Sequence, residues 1–99
     1  MQMDADTIGK KIEENKFYLK KIYHIKEIGL FGSFVRGEQT ESSDVDLLVE
    51  FEKGHSDLFN YVRLKSYLEE LLGRKVDLVS KNAVKSRLRN RILKEVRYV

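Results

Sequence analysis

Residues 30–51 read LFGSFVRGEQTESSDVDLLVEF, and the fold turns on this stretch. The apolar run Glu27 to Phe31 ends at Gly32-Ser33, which reads as a buried strand entering a turn and a new helix N-terminus. The polar run Gly37 to Ser43 is loop-like, and Asp44 to Phe51, rich in Val and Leu, reads as a second strand. On a strand, residues i and i+2 share a face, and a rise of about 3.3 Å per residue sets the Cα atoms of Asp44 and Asp46 roughly 6 to 7 Å apart. Both carboxylates then point the same way, able to converge on one or two metal ions, while Val45, Leu47 and Val49 take the opposite, core-like face. Gly32 lets the backbone approach a phosphate closely, Ser33 adds a hydroxyl, and Arg36 lies one helical turn further on, within reach of the same anion. Taken singly, each feature also has an ordinary reading: a capped turn, an exposed arginine, an acid that ends the Ser42-Ser43 turn.

Outward from this stretch the pattern is regular. Upstream, Asp6 to Tyr23 carries Ile8, Ile12, Leu19 and Ile22 on one helical stripe, interrupted at Asn15. Downstream, Gly54 to Ser56 is a turn, and Leu58, Tyr61, Leu64, Leu68 and Leu71 recur at helical spacing as far as Gly73, a C-cap. Lys75 to Ser80 is a short strand in which Asp77 points away from Val76 and Leu78. If that strand neighbours Asp44 to Phe51, a third carboxylate joins the pair, and one of the three is placed to accept a proton from an attacking hydroxyl. Val84, Leu88, Ile92 and Val96 then repeat every four residues as a closing helix. The expected order is helix, strand, short helix, strand, helix, strand, helix. This is an α/β (α+β) arrangement, a small sheet with helices packed against it.

Ninety-nine residues with no linker-like segment imply one domain spanning residues 1–99. At 41% hydrophobic, with five Phe and five Tyr, the chain can close one small core but not two. It contains no cysteine, which excludes disulfides and thiolate metal sites and leaves carboxylates or His24 and His55 as ligands. The two histidines have no spacing partners and read as surface residues. No apolar run approaches a membrane span, and acids near the N-terminus are unlike a signal peptide, so a cytoplasmic protein without membrane contact is expected. The net charge of +3 is uneven. From Lys81 on, Lys81, Lys85, Arg87, Arg89, Arg91, Lys94 and Arg97 face a single acid, Glu95, so this end suits phosphates, nucleic acid or an acidic partner, or is simply a solvated helix face.

The stretch quoted above, followed by VDLV at residues 76–79, resembles the DNA polymerase β-like nucleotidyltransferase superfamily, and closely its minimal members. That superfamily has Gly-Ser after a hydrophobic residue, a loop, an Asp-hydrophobic-Asp strand and a third acid on a later strand. Here these are Phe31-Gly32-Ser33, Asp44-Val45-Asp46 and Asp77, and the resemblance runs from Ile28 to Tyr98. It implies a small mixed sheet flanked by helices, and an enzyme that transfers AMP from ATP to a hydroxyl acceptor. By the same resemblance Gly32 and Ser33 would hold the triphosphate with support from Arg36. Asp44, Asp46 and Asp77 would form the catalytic magnesium (Mg²⁺) site, Asp77 also activating the acceptor. Larger members add a helical domain absent from this sequence, so a partner is expected to complete the pocket. The minimal proteins resemble antitoxins of type VII toxin–antitoxin systems, paired with HEPN-domain toxins whose tyrosine receives the AMP. Two other readings stay open: a non-catalytic antitoxin that neutralises its partner by contact, and a transferase acting on RNA or a small molecule. No aromatic stacking motif favours RNA.

Overall fold

The computed structural model describes residues 3–99. Helix α1 (Ala5–Glu14) starts at Asp4, whose carboxylate accepts a hydrogen bond from the Thr7 amide at 2.8 Å, the usual way to satisfy a first-turn donor. The single N-terminal helix expected from the sequence is two. Asn15 leaves the helical conformation, its side-chain amide donates to the Lys11 carbonyl, and α2 (Lys16–Tyr23) begins directly after it. An asparagine that hydrogen-bonds its own backbone offers the chain an alternative to the helix ladder. The stripe survives the break: Ile8, Ile12 and Leu19 are fully buried.

Strand β1 (Ile25–Phe31) follows, then the one-turn helix α3 (Ser33–Arg36), the loop to Asp44, and β2 (Val45–Phe51). Helix α4 (Leu58–Leu72), capped by Asp57 and closed by Gly73, crosses back to β3 (Val76–Ser80). After α5 (Ser86–Leu93) comes β4 (Arg97–Tyr98). This last strand was not anticipated, because two exposed residues leave no periodic signal. The four strands lie in the order β3-β2-β1-β4, with β2 and β3 parallel and β1 antiparallel to both β2 and β4.

The sheet has two unlike faces. Val45, Leu47, Val49 and Phe51 of β2, with Ile28 and Leu30 of β1 and Val76 and Leu78 of β3, pack under α1, α2 and α4 in one core with Leu64, Leu68 and Leu72. Asn60, the buried polar residue within it, donates to the carbonyls of Tyr23 and His55 and so ties α4 to the end of α2. The opposite face carries Asp46, Leu48 and Glu50. There the α5–β4 segment approaches so closely that a Cβ on Gly29 would stand 2.6 Å from Val96 Cγ2. Of α5 itself only Ile92 is buried, and Leu88, which shares its four-residue repeat, is 45% exposed. Leu58, the first residue of the helical repeat in α4, is likewise exposed.

Candidate active site

The parallel register sets Asp46 of β2 beside Asp77 of β3, and the antiparallel register sets Asp46 opposite Phe31 of β1. Two neighbouring strands thus aim carboxylates outward on one face, at the edge where β1 turns into α3. Gly32 occupies that turn with φ 79° and ψ −151°, a conformation that side chains resist. A Cβ there would stand 2.1 Å from Asp46 Oδ2, so glycine is required twice, by the backbone angle and by the contact.

This packing changes the acidity of Asp46. Its pKa is pushed up to about 6, first by burial, then by the Asp77 charge and carboxyl beside it, with a smaller push from Asp44; the Ser33 amide opposes the rise. A half-buried acid beside a second carboxylate gives up its proton less readily, and a bound cation would relieve the conflict. Asp44 lies one residue before β2 and is exposed, as is Asp77. Among the described residues no three His, Cys, Asp or Glu side chains are arranged to hold a metal unaided. Hard carboxylate oxygens on adjacent strands nevertheless suit a small divalent cation that takes its other oxygens from water and a phosphate-bearing substrate.

Arg36, read from the sequence as a phosphate ligand, is engaged on both sides. Its Nε donates to Glu38 at 2.9 Å, and its Nη1 donates to both carboxylate oxygens of Glu95 at 3.1 and 3.0 Å. Both acids hold the guanidinium charged, Glu38 the more strongly. Glu95 also accepts the Gly32 amide hydrogen at 3.1 Å. Sequence reasoning gave Glu95 no role, although its being the lone acid of the basic C-terminal run was a visible signal. A second overlooked residue is Arg74, which donates to the carbonyls of Ser43 (3.0 Å) and Thr40 (3.4 Å) and lies over the Phe34 ring. It fixes the loop that delivers Asp44.

A cleft of about 520 Å³ opens over this site, lined by Gly32, Arg36 and Asp46 on the sheet side and by Leu88, Arg91, Ile92 and Lys94 of the C-terminal segment. Part of the basic run therefore faces the carboxylates. Other members are engaged elsewhere: Lys81 pairs with Glu27 and Glu50, and Arg97 with Asp6. His24 and His55, distant in sequence, stack with ring centroids 3.8 Å apart, His55 in the loop that follows β2 and so at the far end of that strand from Asp46.

Comparison with known proteins accords with this geometry. Residues 10–99 match the nucleotidyltransferase domain family. Protein adenylyltransferase MntA of Thermococcus cleftensis is 49% identical over 97 residues, 98% of this chain and 97% of that protein. A solved structure described as a minimal nucleotidyltransferase is 41% identical, with a TM-score of 0.81 over 97% of this chain and 96% of that one. A crystal structure of a toxin–antitoxin with AMP-PNP is 25% identical, with a TM-score of 0.73 over 87% of this chain and 70% of that one. With a Gly-Ser turn facing paired strand aspartates, and likeness along nearly its whole length, this chain belongs to the nucleotidyltransferase domain family as a homologue of the minimal nucleotidyltransferases, on a polymerase β-like fold.

Proposed function

We propose that this chain is a magnesium-dependent protein adenylyltransferase that moves AMP from ATP onto a tyrosine hydroxyl of a cognate HEPN-domain toxin, acting as the antitoxin of the pair. The observation that carries this reading is the pairing of Asp46 with Asp77 on neighbouring strands, with Asp46 packed against the Gly32 turn and both Asp46 and Gly32 lining one cleft. Nearly full-length likeness to protein adenylyltransferase MntA, and the AMP-PNP present in a related toxin–antitoxin, support ATP as donor and a toxin as acceptor.

Asp46 and Asp77, with Asp44 at the rim, would hold Mg²⁺. When bound, that ion would neutralise charge on the phosphates and on the carboxylates that repel each other without it. The chain's own groups do the rest. The Gly32-Ser33 turn and Arg36 grip the triphosphate. Arg91 and Lys94 add positive charge along the cleft, and Leu88 with Ile92 gives the base an apolar wall. The acceptor oxygen attacks the α-phosphorus, the bond to the β-phosphate breaks, pyrophosphate leaves, and Asp77 takes the hydroxyl proton. Residues 1–99 act as one domain, and the partner supplies the wall that positions the hydroxyl.

The test is incubation with ATP, Mg²⁺ and the purified partner, followed by peptide mass spectrometry. Adenylylated tyrosine that disappears with chelator or in Asp46→Asn is expected. Tight partner binding with no modification would replace this reading with neutralisation by contact.

A further inference from the structure

The Gly32 amide and the Arg36 guanidinium are the donors that the proposed function assigns to the triphosphate, yet both are already bound to one carboxylate. Glu95 accepts from Gly32 N–H at 3.1 Å and takes Arg36 Nη1 on both oxygens, at 3.1 and 3.0 Å. Its chain position is 63 residues from Gly32, in the turn between α5 and β4, so this is a tertiary contact and not a local cap. It stands in the same cleft as Asp46, and its side chain is 31% exposed. A carboxylate in such a cradle satisfies the geometry of an anion site: a backbone amide and a planar guanidinium converging on paired oxygens.

We infer that Glu95 is an internal stand-in for phosphate, holding Gly32 and Arg36 in their binding arrangement until the nucleotide displaces it. This rests on the proposed triphosphate seat and adds to it a residue that sets nucleotide affinity. Before nucleotide binds, Glu95 gives the Gly32 amide and Arg36 Nη1 a partner and keeps Arg36 extended toward the cleft. When triphosphate enters, its oxygens take the same hydrogens and Glu95 swings out. Retaining Glu95 in place would leave a carboxylate against the phosphates. Binding is therefore weakened by the contact that must be broken, and the α5–β4 turn is released from the Gly32 turn as the nucleotide seats. A brace would behave in the opposite sense, since an Arg36 held by Glu95 during binding would lose affinity without it.

The sign of the effect separates the two. Affinities of the wild type, Glu95→Gln and Glu38→Gln for ATP with Mg²⁺, and for inorganic tripolyphosphate with Mg²⁺, are to be measured by calorimetry. Glu95→Gln should bind both about tenfold more tightly, the equivalent of one charge-assisted hydrogen bond no longer competing. Glu38→Gln should gain less, because Glu38 touches Arg36 but not Gly32. Equal or weaker binding by Glu95→Gln, with the wild type binding normally, overturns the inference and leaves the triphosphate seat standing. No binding by any of the three proteins overturns the seat itself. The wild type gives a second reading should the variant fold poorly. The Glu95 carboxyl carbon resonance should shift on adding tripolyphosphate with Mg²⁺, and a resonance that stays in place while ligand binds sinks the idea.

Discussion

Asp46 holds its proton more readily in the folded chain than in the unfolded one. Its pKa rises from an ordinary 3.8 to about 6, through burial first and Asp77 second. A raised acid binds more protons when folded, so its contribution to stability is complete below about pH 4 and is lost as pH rises through about 6. Asp46→Asn should therefore raise the stability of the metal-free protein at pH 7 by about 1–2 kcal/mol, allowing for partial screening by solvent. It should also flatten the stability profile between pH 4 and 6 and abolish transfer. Chemical denaturation across that range checks it, and an apo protein made less stable by the change would contradict the account. Gly32→Val should be far worse tolerated than Ser33→Ala, since its side chain meets both a positive φ and the Asp46 carboxylate. Nucleotide titration should show binding lost in the first and only weakened in the second. Asp77→Asn, in the acceptor role proposed for it, should still bind ATP but transfer nothing, a split that a single-turnover assay reads directly.

Among the elements, the edge strand β4 and the crossover helix α4 should differ most in how they answer substitution. Gly29 lets β4 lie against β1, and Gly29→Ala would drive a methyl into Val96 and the Arg97 carbonyl. A cost of about 1–3 kcal/mol is expected from such overpacking, with loss of protection in hydrogen exchange at residues 97–99 before any other part of the sheet. Helix α4 is anchored by Leu64 and Leu68, both fully buried, and Leu68→Ala should cost about 2–5 kcal/mol in denaturant unfolding. Its Asn60 holds the carbonyls of Tyr23 and His55, and without it one buried and one half-buried acceptor would lose this donor.

At the scale of the whole molecule the chain is a flattened body of 38 × 30 × 19 Å, with its helical core on one face of the sheet and its cleft on the other. Among the described residues no helix is long and apolar enough to cross a membrane. The basic residues past β3 divide three ways. Lys81 and Arg97 are held in internal ion pairs, Arg91 and Lys94 line the cleft, and Lys85 and Arg87 are exposed to solvent. Association with an acidic partner surface should weaken several-fold as salt rises from about 0.1 to 0.5 M, whereas the ATP-free fold should hardly respond. Affinity measured in the two buffers, with thermal melts alongside, checks both halves.

Much of this was legible in the chain itself. The alternation of Val45, Leu47 and Val49 against Asp46, and the apolar run ending in Gly32-Ser33, settle the strands and the turn because side-chain period and glycine's freedom are local properties. Local patterns also mark their own interruptions, as Asn15 does, but not what replaces them. Which strands pair is not local. The convergence of Asp46 with Asp77 depends on a parallel register 31 positions apart in sequence, and the raised acidity of Asp46 depends on burial that only packing creates. Likewise the Glu95 contact, the burial of Ile92 beside an exposed Leu88, and the two-residue strand β4 arise where the C-terminal segment folds back over the acid face. Helical spacing fixes which residues share a stripe; only the position of the neighbouring sheet fixes how much of that stripe is covered.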